Sequence, residues 1–447
     1  MHHHTKKSTL SRRDFLWVAS ASAAGMLAAC AVNPVTGKRE FSLVGREDEI
    51  ALDRQNSPHQ FSADLGKVQD PELNAYISEM GLKVASFSHR PDMPYSFRAV
   101  NAVYVNAYAF PGGSIAATRG ILIALENEAE LAALLGHEIG HVAARHTAAR
   151  MSKAMLLNAA VGVGAVLASS ESETAGLITS GVGSLGSTLL LAKYSRDDER
   201  QADDLGMEYM TKTGYSPEGM IGLMDVLRSL SDRKPNAIEA MFASHPMSDE
   251  RYQDAVRSAN DEYASAKDQK LARERYMDLT ARLRRKRDAI ELMQDAMRDM
   301  GQKNYTTAED RLSEALKREP DDYAGLVLMA NCQLAMEHPQ AAEGFAEKAQ
   351  RAYPSEAQAH HLGGIAKLMQ YKYSPAYQEF DAYEDLLQGN PNITFLKGYT
   401  QEKMDHRPRA AEEYQKYLQS VSQGEQAQHA RQKLIEWGYM APLDETQ

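Results

Sequence analysis

His137-Glu138-Ile139-Gly140-His141 is the stretch of this chain whose residue types and spacing are best suited to chemistry. On a helix, positions i and i+4 share a face, so both imidazoles can meet one zinc ion, and Glu138 beside them can take a proton from metal-bound water. A hydrolytic zinc needs a third protein ligand and an open position for water. Glu199-Arg200-Gln201-Ala202-Asp203 offers one. Glu199 would be the ligand, and Asp203, one turn later on the same face, could hydrogen-bond a ligand histidine. On its own, that segment would read as a salt-bridged acidic helix. A further histidine stands in Ser244-His245-Pro246-Met247-Ser248-Asp249-Glu250-Arg251, where His before Pro is in isolation most often a turn residue. His146 and the pair His360 and His361 read as structural or surface residues, and Tyr371, Tyr373, Tyr377 and Tyr383 as core or groove.

These groups need elements to hold them. Apolar residues Leu131, Leu134, Leu135, Ile139 and Val142 recur at three- and four-residue steps, which predicts a long helix from about Glu126 to Met151. Before it come helical patterns from Glu47 to Val84, a β-like stretch from Tyr95 to Val105, and a turn at Pro111-Gly112-Gly113. Next is a short β-prone segment, Ser114, Ile115, Ala116, Ala117 and Thr118. The expectation is that this segment is an edge strand beside the metal, against which an extended peptide pairs through its backbone. Ala154 to Ala192, rich in Gly, Ala and Ser, reads as a flexible helical hairpin, and Arg251 to Arg298 as unbroken charged helix.

Beyond that, similarity recurs at a step of 34 residues. Ala296, Ala330, Gly364 and Gly398 form one series; Ala308, Ala342, Ala376 and Ala410 a second; Leu312, Ala346, Phe380 and Tyr414 a third. Small residues at two fixed points, with an apolar residue between, let helix pairs stack closely. This resembles the tetratricopeptide repeat in four copies, closed by a helix near Gln423 to Trp437.

Forty-three per cent hydrophobic and 25 per cent charged residues over 447 positions exclude a wholly disordered or polytopic membrane chain. Ser11-Arg12-Arg13-Asp14-Phe15-Leu16, a short apolar run and Leu27-Ala28-Ala29-Cys30 have the layout of a twin-arginine export signal ending in a lipobox. Cys30 would carry the lipid that holds the protein to the cell envelope, at the periplasmic face of the outer membrane. With residues 1–29 removed, 46 basic residues face 60 acidic ones, which opposes nucleic acid as a partner. Only Cys30 and Cys332 are present, so no intramolecular disulfide is expected. The division expected is a leader at 1–29, a metal-binding domain at 30–270, a connector at 271–288 and repeats at 289–447.

Taken together, the chain resembles the gluzincin zinc metallopeptidases that include the CAAX prenyl endopeptidases and periplasmic protease-chaperones with C-terminal tetratricopeptide repeats. The resemblance is carried by Asn33-Pro34-Val35-Thr36-Gly37, Asn106-Ala107-Tyr108-Ala109, His137 with Glu138 and His141, Glu199 with Asp203, and His245 with Arg251. It implies a mainly α chain, with a small sheet in an α+β protease domain, and one zinc held by His137, His141 and Glu199. It further implies that Glu138 is the catalytic base, that His245 approaches the zinc from its open side, and that Arg251 stabilises the oxyanion. His245 would then either restrain the site as a fourth ligand or assist catalysis. Clients would be misfolded or stalled envelope proteins, with the outer-membrane protein assembly machinery as partner. The alternative is a chaperone or scaffold whose protease site is largely latent.

Overall fold

The computed structural model describes residues 30–152, 193–233, 241 and 243–441. The leader and the hairpin expected at Ala154 to Ala192 lie outside the described residues. Among the described residues no helix is long and apolar enough to cross a membrane.

The chain opens with an antiparallel hairpin, β1 (Cys30–Val32) and β2 (Arg39–Phe41), around the Asn33-Pro34-Val35-Thr36-Gly37 turn. Helix α1 (Arg46–Ala63) follows. Helix α2 (Pro71–Ala85) starts where the Asp70 side chain accepts from the Glu72 and Leu73 amides and Pro71 pre-sets the first turn. Strands β3 (Ser96–Val100), β4 (Ala107–Ala109) and β5 (Ser114–Thr118) then form one sheet in the order β3-β5-β4. The segment Ser114 to Thr118 is therefore not an edge. It is the central strand, parallel to β3 and antiparallel to β4, because the Pro111-Gly112-Gly113 turn, with Gly113 at φ 103, folds it back between them. The outer side of β3 is taken by residues 66–68, whose backbone bonds Ala99 and Asn101. Strand β4 is left as the open side of the sheet among the described residues.

Helix α3 (Arg119–Ala124) leads into α4 (Glu128–Ala143), whose Asn127 cap accepts from the Glu130 amide and whose residues are all buried. The single long helix expected to reach Met151 ends at Ala143. Arg145 takes φ 61, held there by bonds from its guanidinium to Glu49 (3.0 Å) and the Val44 carbonyl (2.5 Å), and helix resumes at 146–152. Ser195 and Asp198 form a capping box that starts α5 (Arg196–Lys212). Then come α6 (Glu218–Arg233) and α7 (Asp249–Asn260). The unbroken helix expected from Arg251 to Arg298 is several pieces: α7, a 3-10 turn at Ala264–Ala266, α8 (Arg273–Leu279), α9 (Ala281–Arg285) and α10 (Arg287–Gly301). The breaks let Tyr276, fully buried, donate to the Leu122 carbonyl at 2.7 Å and let Leu283 enter the core.

With α10 begin the helix pairs: α11 (Tyr305–Arg318), α12 (Tyr323–Ala335), α13 (Pro339–Ala352), α14 (Gln358–Met369), α15 (Tyr373–Leu386), α16 (Pro391–Lys403) and α17 (Arg407–Ser420), with α18 (Glu425–Glu436) closing the stack. All three 34-residue series are buried. Where the first series has glycine, the third has an aromatic ring in the vacated space: a Cβ on Gly364 would lie 2.4 Å from Phe380, and one on Gly398 2.7 Å from Tyr414. The turn inside each pair repeats too, with Lys303, Glu337, Tyr371 and Asp405 all left-handed at φ 57 to 61.

One apolar core runs from α2, the sheet and α4 through α10 and α11 into α12. At that junction Arg119 of α3 grips Asp322, the cap of α12, at 2.7 and 3.1 Å, both side chains being about 97 % buried. Burial alone would raise the Asp322 carboxyl, but Arg119 beside it draws it down to about 2. Since the native value lies below the unfolded one of about 3.9, the pair's contribution is present above that value and lost as pH falls through about 2. Arg119→Met, which leaves the buried carboxylate only Lys286 at 3.5 Å and the Gly325 amide at 3.2 Å, is expected to cost roughly 3 kcal/mol in chemical denaturation, and adding Asp322→Leu should recover part of it.

Candidate metal centre

Helices α4 and α5 cross at backbone contact, because small residues meet at the crossing. A Cβ on Gly140, the fourth residue of His137-Glu138-Ile139-Gly140-His141, would lie 3.0 Å from the Ala202 carbonyl oxygen. One on Gly136 would lie 2.9 Å from that of Gly206, and one on Gly206 2.9 Å from the His137 nitrogen. Such a distance puts the first turns of α5 directly beside the two imidazoles.

Four side chains converge there. Donor atoms of His137, His141, Glu199 and His245 all lie within 4.8 Å of one another, and all four residues are buried. His137 Nε2 is 3.1 Å from His141 Nε2 and 3.3 Å from His245 Nδ1. Glu199 Oε1 is 3.0 Å from His245 Nδ1 and 3.4 Å from His141 Nε2. Four donors at ~2.0–2.1 Å from a tetrahedral zinc stand about 3.4 Å apart, so the set fits that ion. Glu138 supports the fit. Its side chain is fully buried, and neither carboxylate oxygen has a hydrogen-bond partner, a state a protein tolerates where a bound group completes the site. Burial pushes its carboxyl up, partly opposed by His245 and His137.

Charge around the ligands is arranged by Asp203 and Arg251. Asp203 Oδ1 lies 2.9 Å from His137 Nδ1, leaving Nε2 to face the metal position. Arg251, from the first turn of α7, reaches Asp203 through Nε and Nη2 at 2.7 Å each, pairs with Glu199 at 2.7 Å through Nη1, and donates to the Pro246 carbonyl at 2.9 Å. Burial would raise Glu199, yet His245, His141 and His137 hold it well below the usual carboxylate range. Arg251 keeps Asp203 low in the same way against its own burial. Arg251 thus braces the Glu199 carboxylate and the Asp203 that orients His137. The strand Ser114 to Thr118 lies between β3 and β4 and is not an edge of the sheet.

Two residues of this centre carry no signal in the expected motifs. His146, read from sequence as structural or surface, has Nδ1 2.8 Å from His141 Nδ1, and its Nε2 lies 2.9 Å from Gln201 Oε1. Ligation through His141 Nε2 leaves that ring's proton on Nδ1, so His146 must accept there and donate from Nε2 to Gln201. Burial lowers the His146 pKa, which keeps it neutral, as an acceptor must be. Tyr194 stacks on His141 with centroids 3.8 Å apart, and the Arg150 guanidinium covers its ring at 3.6 Å. The spacing of five from His141 to His146 could have revealed the first, had the left-handed break at Arg145 been anticipated; Tyr194 sits in no recognisable pattern.

His146→Leu is expected to raise the zinc dissociation rate about 10- to 100-fold in a chelator competition assay, as loss of a ligand's orienting partner does elsewhere. His146→Asn, whose Oδ1 stands near the lost Nδ1, should retain most of the affinity.

Two stretches of the chain match models of known families. Residues 71–259 match the model for peptidase family M48, and residues 299–368 one for the tetratricopeptide repeat. The chain is 29 % identical over 245 residues to the β-barrel assembly-enhancing protease of Yersinia pestis, covering 54 % of this chain and 50 % of that one. Its likeness to the Escherichia coli (strain K12) protein of that name is 27 % over 199 residues, covering 43 % and 40 %. Metalloprotease YcaL of the same strain is 33 % identical over 160 residues, covering 36 % of this chain and 60 % of YcaL. The chain thus spans about half of the length of the assembly-enhancing proteases it matches. In this chain a stretch similar to peptidase family M48 is thus followed by a stretch similar to the tetratricopeptide repeat.

Proposed function

We propose that this protein is a zinc endopeptidase of the cell envelope, acting on unfolded or misassembled envelope proteins. The observation that carries the reading is the convergence of His137, His141 and Glu199 around one position, with the Glu138 carboxylate, which accepts no hydrogen bond, beside it. Zinc bound there would polarise the scissile carbonyl and acidify a water. Glu138 would take that water's proton and deliver it to the leaving amine. Asp203 and His146 hold the two ligand rings, and Arg251 holds Glu199 and Asp203. An extended substrate would pair along β4, an edge of the sheet among the described residues, with β5 behind it as support.

Export by the twin-arginine route and lipid attachment at Cys30, in the outer membrane and facing the periplasm, is the location we infer from the leader. The name of the similar Yersinia and Escherichia proteins supports outer-membrane protein assembly as the process served, with the repeats docking a client or the assembly machinery. A second reading, a chaperone or scaffold with a latent site, is favoured by one observation. His245 Nδ1 stands where a fourth ligand would close the zinc, and Arg251 holds the adjoining Pro246 carbonyl.

Glu138→Gln should keep the zinc content of the native protein, expected at about one per chain, yet lose cleavage of an unfolded porin or casein by more than about 1000-fold. Retained cleavage would remove the catalytic reading, and retained suppression of porin aggregation by the inactive protein would support the scaffold. His245→Ala should raise basal cleavage and self-cleavage several-fold at equal zinc occupancy. A fall instead would make His245 an aid to catalysis.

A further inference from the structure

The hairpin β1–β2 begins at Cys30 itself, so no flexible spacer separates the inferred lipid site from folded structure. It is also fastened to the metal centre. Asn33 Nδ2 donates to the carbonyl of Ala144, the residue capping α4, at 3.3 Å. The Leu43 amide donates to Ser152 Oγ at 3.0 Å, and Val44, 2 % exposed, packs on Ala148 and Met151 of the helical segment after α4. Three residues of strand from Cys30 to Asn33 span at most about 10 Å, and the helical turn from Ala144 back to His141 rises about 5 Å. With the Asn33 side chain between them, the backbone of Cys30 stands within about 20 Å of a metal ligand.

The surface of this hairpin and of the residues just after it joins apolar side chains to cations. Val32 is 55 % exposed and Leu43 45 %, two of the few large apolar side chains on the described surface. Lys38 and Arg39 are exposed beside them, although the chain as a whole carries net charge −11. Apolar side chains to enter the headgroup layer and cations to meet anionic phosphates are what a lipid surface selects.

We propose that the β1–β2 hairpin lies on the bilayer and acts as a short rigid mount, so that the metal centre takes peptide bonds close to the lipid surface: segments of client protein at or just emerging from the membrane. This rests on the lipid attachment at Cys30 proposed above and adds to it a fixed height. A linker would remove that constraint, since about 20 Gly/Ser residues contribute roughly 25 Å of reach.

The test uses the lipidated full chain in vesicles of phosphatidylethanolamine with a minority of phosphatidylglycerol. One peptide substrate is offered free, on a short lipid tether, and on a long one. The native protein should cleave the short-tethered peptide about tenfold faster than a variant with the Gly/Ser linker inserted between Ala31 and Val32, which should prefer the long tether. Both should cleave the free peptide equally, which also shows that the inserted variant is folded. Val32→Asp with Leu43→Asp should reduce the short-tether advantage without changing the free-peptide rate. If native protein floats with vesicles, Cys30→Ser does not, and the linker leaves the tether preference unaltered, the mount is wrong while the lipid anchor stands. If native protein fails to float, anchor and mount fall together, and the endopeptidase reading is untouched because free-peptide cleavage measures it separately.

Discussion

Everything at the metal centre depends on how closely α4 and α5 approach. Two helices bearing ordinary side chains sit about 8–10 Å apart. Here Gly136, Gly140, Ala202 and Gly206 leave nothing between the backbones, and only at that separation can the short carboxylate of Glu199 reach the imidazoles of the helix opposite. The same contact brings Asp203 to His137 and Gln201 to His146. One stretch of α5 thus supplies a ligand and the partners that orient both histidines. Gly140 within the metal-binding motif is there for volume: a methyl group at that position would press on the Ala202 carbonyl and push the helices apart.

Close packing of this kind buries charge, which is costly unless each charge is matched. Glu199 and Asp203 are matched by Arg251, and Glu49, wholly buried, by Arg90 and Arg145. The Arg90 guanidinium also binds the Val142 carbonyl at the end of α4, so the helix is held at its C-terminal end by cations, where its dipole favours them. Within this matched shell neither carboxylate oxygen of Glu138 accepts a hydrogen bond, and its nearest basic group is the His245 ring at 3.9 Å. A rigid, charge-balanced surround with one unsatisfied base at its centre is what preorganisation requires: the strain of desolvation is met before any substrate arrives.

The repeats are not an appendage on a string. They share the apolar core with the sheet and α4, and are tied to it by the buried Arg119–Asp322 pair, by Gln294 donating to the Val103 carbonyl, and by the bond between Ser62 and Glu356. A partner seated on the repeats would thus press on a body continuous with the metal helix. The pieces α8 and α9 exist for this junction. Their charged sequence is helical by propensity, but carrying Tyr276 and Leu283 inward requires the chain to turn twice within a short distance.

Patterns that depend on residues near in sequence were readable without coordinates. The i, i+4 histidines with their glutamate, the 34-residue series and the strand at Ser114 to Thr118 are each set by one helix turn, one repeat or one turn type, and each stands in the kind of element expected of it. Local pattern says nothing of what lies beside an element. The central place of β5 follows from a fold-back that leaves its composition unchanged, and the break at Arg145 follows from two bonds made a hundred residues away. His146 and Tyr194 gained their positions from that break and from the crossing of α4 with α5; neither has a neighbour in sequence that announces a role. Sequence by itself determined which groups could do chemistry, because ligand type and helical period are local properties. Tertiary structure alone decided which groups hold them, because an orienting hydrogen bond across 3 Å takes no account of distance along the chain.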